Sequence, residues 1–294
     1  MVRPAAFGYN EETASSNVFQ KNRTGDDRQV RARVWKEFDG AVERLRDSGI
    51  EVLVWEDRPE PAKPDAIFPN NWFSTHRDGT LVLYPLEARV RRHERDPDLV
   101  SWLVEASAPR RVLDLSALEN EGLYLEGTGS LVLDRPARVA YCALSSRSHP
   151  STLARWAGEM GYSTVTFRTD DGHGHAVYHT NVVMSVGTRI ACVVEEAIPA
   201  RDERQRVRAS LEASGHGVHA LDLEAMRALG ANALELRARE GPLWVLSTRA
   251  WAHLPVPVRR ALEQEIHVLP IDVATIEEVG GGGIRCMLAE LFLP

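Results

Sequence analysis

Short apolar runs rich in β-branched residues alternate along the chain with longer segments of helical period. The strand-like runs are IEVLVWE, TLVLYP, RVLDLS, SLVLDR, RVAYCAL, STVTFRT, VYHTNVVMSVG, RIACVVE, LWVLSTR and IHVLPID, whose branched side chains suit a pleated, half-buried surface. Between them lie QVRARVWKEFDGAVERLRDSG, PDLVSWLVEASA, PSTLARWAGEMG, RDERQRVRASLEASG and PVPVRRALEQEI, with apolar residues three and four apart, as on a helix with one buried face. Several open on Pro or Asp and close on Gly, as helix ends do. About ten strands and five helices in mixed order predict an α/β or α+β fold rather than a sandwich. No residue-level repeat is visible; only the element types recur, at roughly 50 to 60 residues. Nothing rich in Ser and Gly divides the chain, so residues 1–294 are expected to form a single domain.

Composition narrows the function more than the fold. A net charge of −7, with no Lys/Arg stretch interleaved with aromatics, speaks against a nucleic-acid partner. The opening MVRPAAFGYNEE has no apolar signal core, and no run approaches the roughly 20 apolar residues of a membrane span. A cytoplasmic protein with no membrane partner is the expectation. Three cysteines far apart argue against a disulfide framework. Cys142 and Cys192 sit inside strand-like runs, where cysteine acts as a small core residue.

Cys286 stands apart, two residues after four consecutive glycines in VGGGGIRCM. The run lacks the G-K-[ST] of a phosphate loop, and no G-x-G-x-x-G follows a strand with an acidic residue downstream. Glycines permit positive φ and close backbone approach. A flexible linker would join two bodies, yet only eleven residues follow, so the run is read as aiming Cys286. A nucleophilic cysteine needs a base, and the base needs a group to hold it. Of ten histidines, His76, His93, His149, His216, His219, His253 and His267 stand among polar residues or at element ends. DDGHGHAVYHTNVVMSVG adds His173, His175 and His179. The H-x-H beside Asp170 and Asp171 has no C-x-x-C or H-E-x-x-H to complete a zinc site. A polar turn explains it, and neither metal nor cofactor is expected. His179 and Asn181 lie two apart in an apolar run read as a strand, and so share a face. Glu126 precedes G-T-G and a strand in EGLYLEGTGSLVLD, and Asn70 and Asn71 fall between Pro and two aromatics in AIFPNNWFSTH.

Taken in order, FPNNW, EGTGS, YHTNV and GGGGIRCM resemble the motifs of the guanidino-group-modifying enzymes, the pentein superfamily of arginine deiminases, dimethylargininases and amidinotransferases. Within it the chain looks most like the citrulline utilisation hydrolase branch, with its arginine deiminase-related and amidinotransferase-like members. The likeness runs from RPAAFGYNEETASSN to CMLAELFLP. It implies a five-bladed α/β propeller of ββαβ-type units around a central polar site. It also implies that Cys286 is the nucleophile, His179 the general acid/base and Glu126 the carboxylate that orients it.

At two positions where arginine-handling members carry aspartate, this chain has Asn71 and Asn181. A guanidinium is a permanent cation that only donates, so carboxylates suit it; a neutral ureido group both donates and accepts, as an asparagine amide does. An unpartnered buried charge costs on the order of 3–5 kcal/mol, so the exchange weighs against arginine. The implied reaction is hydrolysis of a ureido amino acid, citrulline to ornithine, CO2 and ammonia, through a carbamoyl-cysteine. The alternatives are a guanidine hydrolase of the arginine deiminase or dimethylarginine dimethylaminohydrolase type, an amidinotransferase, and a catalytically silent binding protein. Of Arg89, Arg91 and Arg92 in PLEARVRRHERD and Arg285 beside the nucleophile, Arg89 is assigned to the substrate α-carboxylate, and Phe68 to the substrate pocket. The partner expected is this small amino acid, and the reading leaves room for a homo-oligomer.

Overall fold

The computed structural model describes residues 1–22 and 27–292; residues 23–26 and 293–294 of the expected single domain lie outside the described residues. β1 (Val2–Arg3) pairs in parallel with β2 (Trp55–Glu56), and α1 (Glu11–Ala14) and α2 (Asp27–Asp47) fall between them. Four three-stranded sheets follow. The first contains β3 (Phe73–Thr75), β4 (Thr80–Leu83) and β5 (Arg111–Asp114), with α3 (Pro97–Ser107) joining the last two. The second is α4 (Gly127–Ser130), β6 (Val132–Asp134), β7 (Val139–Ala143), α5 (Pro150–Met160) and β8 (Ser163–Phe167). The third is α6 (Thr180–Val183), β9 (Met184–Val186), β10 (Ile190–Val194), α7 (Arg201–Ala213) and β11 (Gly217–Leu221). The fourth opens with α8 (Leu223–Arg227) and contains β12 (Leu234–Ala238), β13 (Gly241–Ser247), α9 (Thr248–His253), α10 (Val256–Glu265) and β14 (His267–Ile271). α11 (Ala274–Gly280) and a 3₁₀ turn at Ile284–Met287 complete the chain.

Each sheet repeats one plan. Its first strand runs antiparallel to the second, and the second runs parallel to the third across a helix, as parallel neighbours require a crossover. The mixed α/β class is therefore as the patterning predicts, and all five helical segments are helices. α5 shows why. His149 caps its start by accepting from Ser151 N, Pro150 occupies the first turn, and Gly161 closes it in the left-handed conformation. Leu153, Trp156 and Met160 fall on its buried side, where a fully buried Leu or Met contributes about 1.5–3 kcal/mol. Cys142 and Cys192 lie buried in β7 and β10, and burial pushes both thiols up to about 12. No described helix is long and apolar enough to cross a membrane.

Two differences from the pattern reading matter. Of IEVLVWE only Trp55–Glu56 is strand. VYHTNVVMSVG is not one strand: Thr180–Val183 forms a helical turn and only Met184–Val186 is extended. β1, β3, β11 and β12 had no apolar run to announce them. β11 and β12 are the outer strands of their sheets and are largely unburied, so their side chains follow no apolar pattern.

Candidate active site

The residues ahead of the first strand of each sheet converge on one place. A 3₁₀ turn at Pro69–Asn71 leads into β3, α4 into β6, α6 into β9, and the turn holding Asn232 into β12. The two glycines of EGTGS explain how closely these turns nest. A methyl group on Gly127 would stand 2.3 Å from the Asn70 carbonyl oxygen, and one on Gly129 would stand 2.7 Å from His179 Nδ1. Thr180 Oγ1 then bolts α6 to α4 by donating to the Ser130 carbonyl at 2.5 Å while accepting from Ala143 N at 2.8 Å.

His179, the extended residue that starts α6, is thereby held against Glu126, with Nε2 2.8 Å from Oε2. Glu126 is fully buried at 0 % exposure. Burial alone would raise its carboxyl, but Arg147, His179 and Arg91 hold it below the usual carboxylate range. An ionised Glu126 only accepts, so Nε2 carries the imidazole proton and Nδ1 is left as the basic nitrogen. Burial outweighs the Glu126 charge at His179, which is lowered to about 4. The imidazole is therefore neutral at pH 7.

Cys286 opens to the same cavity from the turn after the glycines and is 3 % exposed. Gly281 caps α11 with φ +68°, and methyl groups on Gly280 and Gly282 would strike the Phe68 ring at 2.8 and 3.0 Å. The run thus bends the chain tightly over Phe68 to deliver the sulfur. Sγ accepts from Asn232 Nδ2 at 3.3 Å and from Asn181 Nδ2 at 3.6 Å. Burial raises this thiol, and the two amides and Arg285 offset only part of the rise. A neutral thiol and a neutral imidazole thus line the same cavity.

The remaining wall is charged. Arg91 grips Glu94 with two hydrogen bonds of 2.8 and 3.0 Å, donates to Asn71 Oδ1 at 2.9 Å and lies 3.6 Å from Asp65. Arg147 stacks 4.7 Å from the Tyr178 ring centre, and donates to Ser16 Oγ at 2.6 Å and Glu126 at 3.4 Å. Two buried polar atoms on this wall have no hydrogen-bond partner, Asp65 Oδ1 and Arg147 Nε. In this structure the cavity is tightly closed, with about 10 Å³ of water-accessible room, about that of a single water.

The model of the family described as "N,N dimethylarginine dimethylhydrolase, eukaryotic" matches residues 3–293. The chain belongs to that family. With it the chain is placed among the guanidino-modifying penteins. No curated protein sequence matches it. Among solved structures, an apo arginine dihydrolase, ArgZ, from the ornithine–ammonia cycle of cyanobacteria superposes with TM-score 0.77 at 14 % identity. All of this chain is covered and 40 % of that one, so the chain spans well under half of that enzyme's length. An N-terminal domain of an ArgZ variant, covalently bound to a reaction intermediate, matches at 0.76 and 15 %, covering 100 % of this chain and 98 % of that one. A dimethylarginine dimethylaminohydrolase adduct with 4-chloro-2-hydroxymethylpyridine matches at 0.60 and 13 %, covering 87 % and 90 %. These likenesses concern the fold.

For this dimethylhydrolase-family chain, the structure brings Cys286, His179, Glu126, Asn71 and Phe68 to one site and alters the reading of two further residues. Arg89 is exposed and lies outside the lining of the cavity. It starts a 3₁₀ turn on the surface, and the guanidinium that reaches inside is Arg91, two residues on. Asn181 does not share a strand face with His179. It lies in α6 behind the sulfur, where it lines a second cavity with about 30 Å³ of water-accessible room. Asp170 and Asp171 accept from backbone N–H groups of Gly172, His173 and His175, as in a polar turn. Asn232, Asp65 and Arg147 were not anticipated. A usable signal for Asn232 existed: Asn71, Glu126, Asn181, Asn232 and Cys286 recur at spacings of 55, 55, 51 and 54 residues.

Proposed function

We propose that the chain hydrolyses a ureido amino acid, with citrulline giving ornithine, CO2 and ammonia. The observation that carries this reading is the company of the sulfur: its hydrogen-bond partners are two carboxamides, Asn181 and Asn232, and no carboxylate. A neutral ureido carbon can sit beside them without a charge to be matched. Arg147 Nε, which has no hydrogen bond and only a 3.5 Å ion pair to Glu87, and the unpartnered Asp65 Oδ1 suit the α-carboxylate and α-ammonium at the other end of the substrate.

The chemistry follows from the neutral resting pair. As Sγ attacks the ureido carbon, its proton passes to His179 Nδ1, and Glu126 stabilises the imidazolium that forms. The imidazolium gives that proton to the departing amine, the carbon–nitrogen bond breaks, and ornithine leaves a carbamoyl thioester on Cys286. Water, deprotonated by His179, opens the thioester; carbamate departs, restoring the thiol, and decomposes to CO2 and ammonia. No step requires a metal or cofactor. Asn17, Asn71, Glu126, Asn181 and Asn232 fall at spacings of 54, 55, 55 and 51 residues, and Cys286, 54 further on, follows a glycine run that returns to Asn17, whose Nδ2 donates to the Gly280 carbonyl. This supports one five-bladed catalytic unit whose first blade is shared by the two ends of the chain.

A second reading, guanidine hydrolysis, is favoured by Asp65, whose free oxygen would also receive a guanidinium. Purified protein given citrulline, arginine, dimethylarginine and agmatine in parallel separates them. Ornithine and ammonia from citrulline alone supports the ureido reading, and faster release of citrulline from either arginine compound overturns it.

A further inference from the structure

Behind the nucleophile lies a carboxyl group that the reaction does not use. Glu277, on α11, is 1 % exposed, and its carboxyl oxygens meet no well-formed hydrogen bond, the Ser247 hydroxyl being a weak donor beside them. Buried carboxylates normally collect donors, so two oxygens so weakly served call for an explanation. The nearest cation is Arg249 on α9, whose Nη1 is 3.8 Å from Oε2 and which is 43 % exposed, too distant and too wet to hold an ionised group firmly. Glu37 on α2 and Asp272 ahead of α11 add negative charge, and Ser247 at the start of α9 adds a hydroxyl. Burial first, then these acids, raise Glu277 to about 7.

Across a narrow gap is a second orphan. Asn232 Oδ1 is buried and unpartnered, while its Nδ2 donates to the Asn181 carbonyl at 3.2 Å and to Cys286 Sγ at 3.3 Å. Gly283 marks the gap. A methyl on its Cα would stand 2.7 Å from Asn232 Oδ1 and 3.3 Å from Glu277 Oε1, so the two oxygens face the same small volume beside the glycine run. Two acceptors so placed need a proton between them.

We infer that Glu277 is a positioning residue: as the neutral acid it donates, directly or through one water, to Asn232 Oδ1, and so keeps the Asn232 N–H aimed at the Cys286 sulfur. The Asn181 carbonyl holds the N–H end of the amide from one side; without the Glu277 donor the Oδ1 end stays buried and unpaired, so the amide is held less firmly and its N–H meets the developing thiolate less well. The inference rests on Cys286 being the reactive thiol and not on which substrate it attacks.

The test therefore reads the sulfur and not turnover. Iodoacetamide alkylation of Cys286 is followed by mass spectrometry from pH 6 to 10 in wild type, Glu277→Gln, Glu277→Leu, Asn232→Ala and the double variant Glu277→Leu/Asn232→Ala, with folding checked by circular dichroism. Glu277→Gln, which donates at every pH, should alkylate within about threefold of wild type at pH 6 and should lose the break that Glu277 ionisation places in the wild-type pH profile. Glu277→Leu should alkylate roughly tenfold more slowly, about one thiol pKa unit, and should add nothing to Asn232→Ala. A wild-type rate in folded Glu277→Leu, additive losses in the double variant, or superimposable profiles of wild type and Glu277→Gln would overturn the assignment. Should Glu277→Leu fail to fold, the comparison of the wild-type and Gln profiles decides alone. Citrulline turnover in the same samples tests the substrate separately, because the alkylation result stands whichever substrate is used.

Discussion

The two walls of the cavity solve opposite problems. Along one, Asp65, Arg91, Glu94, Glu126 and Arg147 form a ring of buried ionisable groups that pair with one another, and one Asp65 oxygen is left open. Along the other, the Cys286 sulfur accepts from two amides, with Arg285 the nearby cation, and burial holds His179 neutral. A buried charge costs several kcal/mol unless it is partnered, so under the proposed reading fixed charge belongs where a ureido amino acid would always be ionised, at its α-carbon. The reacting carbon, where charge appears only in passing, is left to dipoles that need not reorganise. Carboxylates on the sulfur side would bind a cation there and would oppose the thiolate.

The comparison breaks most visibly at the reacting pair. Cys286→Ala should abolish turnover, and His179→Ala should lower kcat by roughly 10²–10⁴-fold, the range of a general acid/base. Glu126→Gln should cost less than His179→Ala, because it leaves the imidazole in place and removes only the charge that orients it. The neutral resting state gives these a pH signature. His179 is lowered to about 4, so it remains a free base as the pH falls from 7 and is lost only near 4. The acid limb of kcat/KM should therefore lie well below 6.5. Stability runs in parallel: His76 and His179, both lowered to about 4 by burial, become protonated on unfolding below about 6.5. They favour the folded state fully above that value and progressively less between 6.5 and 4. Circular dichroism at each pH separates the two, and an acid limb at 6.5 in folded protein would show that the wall at His179 is not neutral.

A smaller effect is expected on the charged wall. If Arg147 receives the α-carboxylate, Arg147→Lys should weaken citrulline by about 10- to 100-fold in kcat/KM, the value of one or two charge-assisted hydrogen bonds. N-carbamoylputrescine, which has the ureido end but no carboxylate, should be affected much less. Equal losses for both compounds would assign Arg147 to the support of Glu126 instead.

Legibility in the sequence followed the same division. The helices and most inner strands were visible because each buries one face, and Cys286, Glu126, His179 and Asn71 because each sits in a motif. Arg147 and Asp65 were not, since a lone Arg in SSRSHP and a lone Asp in KPDAIF look like surface residues until the fold buries them. The choice between Arg89 and Arg91 depended on which way a 3₁₀ turn faces, and neither has a periodic neighbour to decide it. Asn181 was read as a strand neighbour of His179 because Val and Met flank it. What decides its place is a helical turn fastened by Thr180, a tertiary hydrogen bond that no local pattern encodes. Asn232 could have been found by counting one more period of the chain.

The finest comparison concerns Asn71 and Asn181, which the sequence paired and the structure separates. Asn71 lines the cavity, its Oδ1 accepts from Arg91 and its Nδ2 donates to Asn70 Oδ1 at 3.1 Å, so Asn71→Asp keeps the first bond, loses the second and adds a charge to the cavity wall. Arginine should then inhibit more strongly relative to citrulline, by around tenfold, equal to about 1.4 kcal/mol. Asn181→Asp does something else. It replaces the N–H that meets the sulfur with an oxygen, so the thiolate loses a donor and gains a neighbour of like charge. Alkylation of Cys286 near neutral pH should slow while the ratio of arginine to citrulline inhibition constants moves little, because Asn181 faces the cavity behind the sulfur. Measuring both quantities in both variants is decisive. A changed inhibition ratio confined to Asn71→Asp and slowed alkylation confined to Asn181→Asp would assign substrate choice to one asparagine and sulfur chemistry to the other. Both effects in both variants would return the two residues to a single shared role, and an unchanged ratio in Asn71→Asp would remove the argument from amides to a ureido substrate.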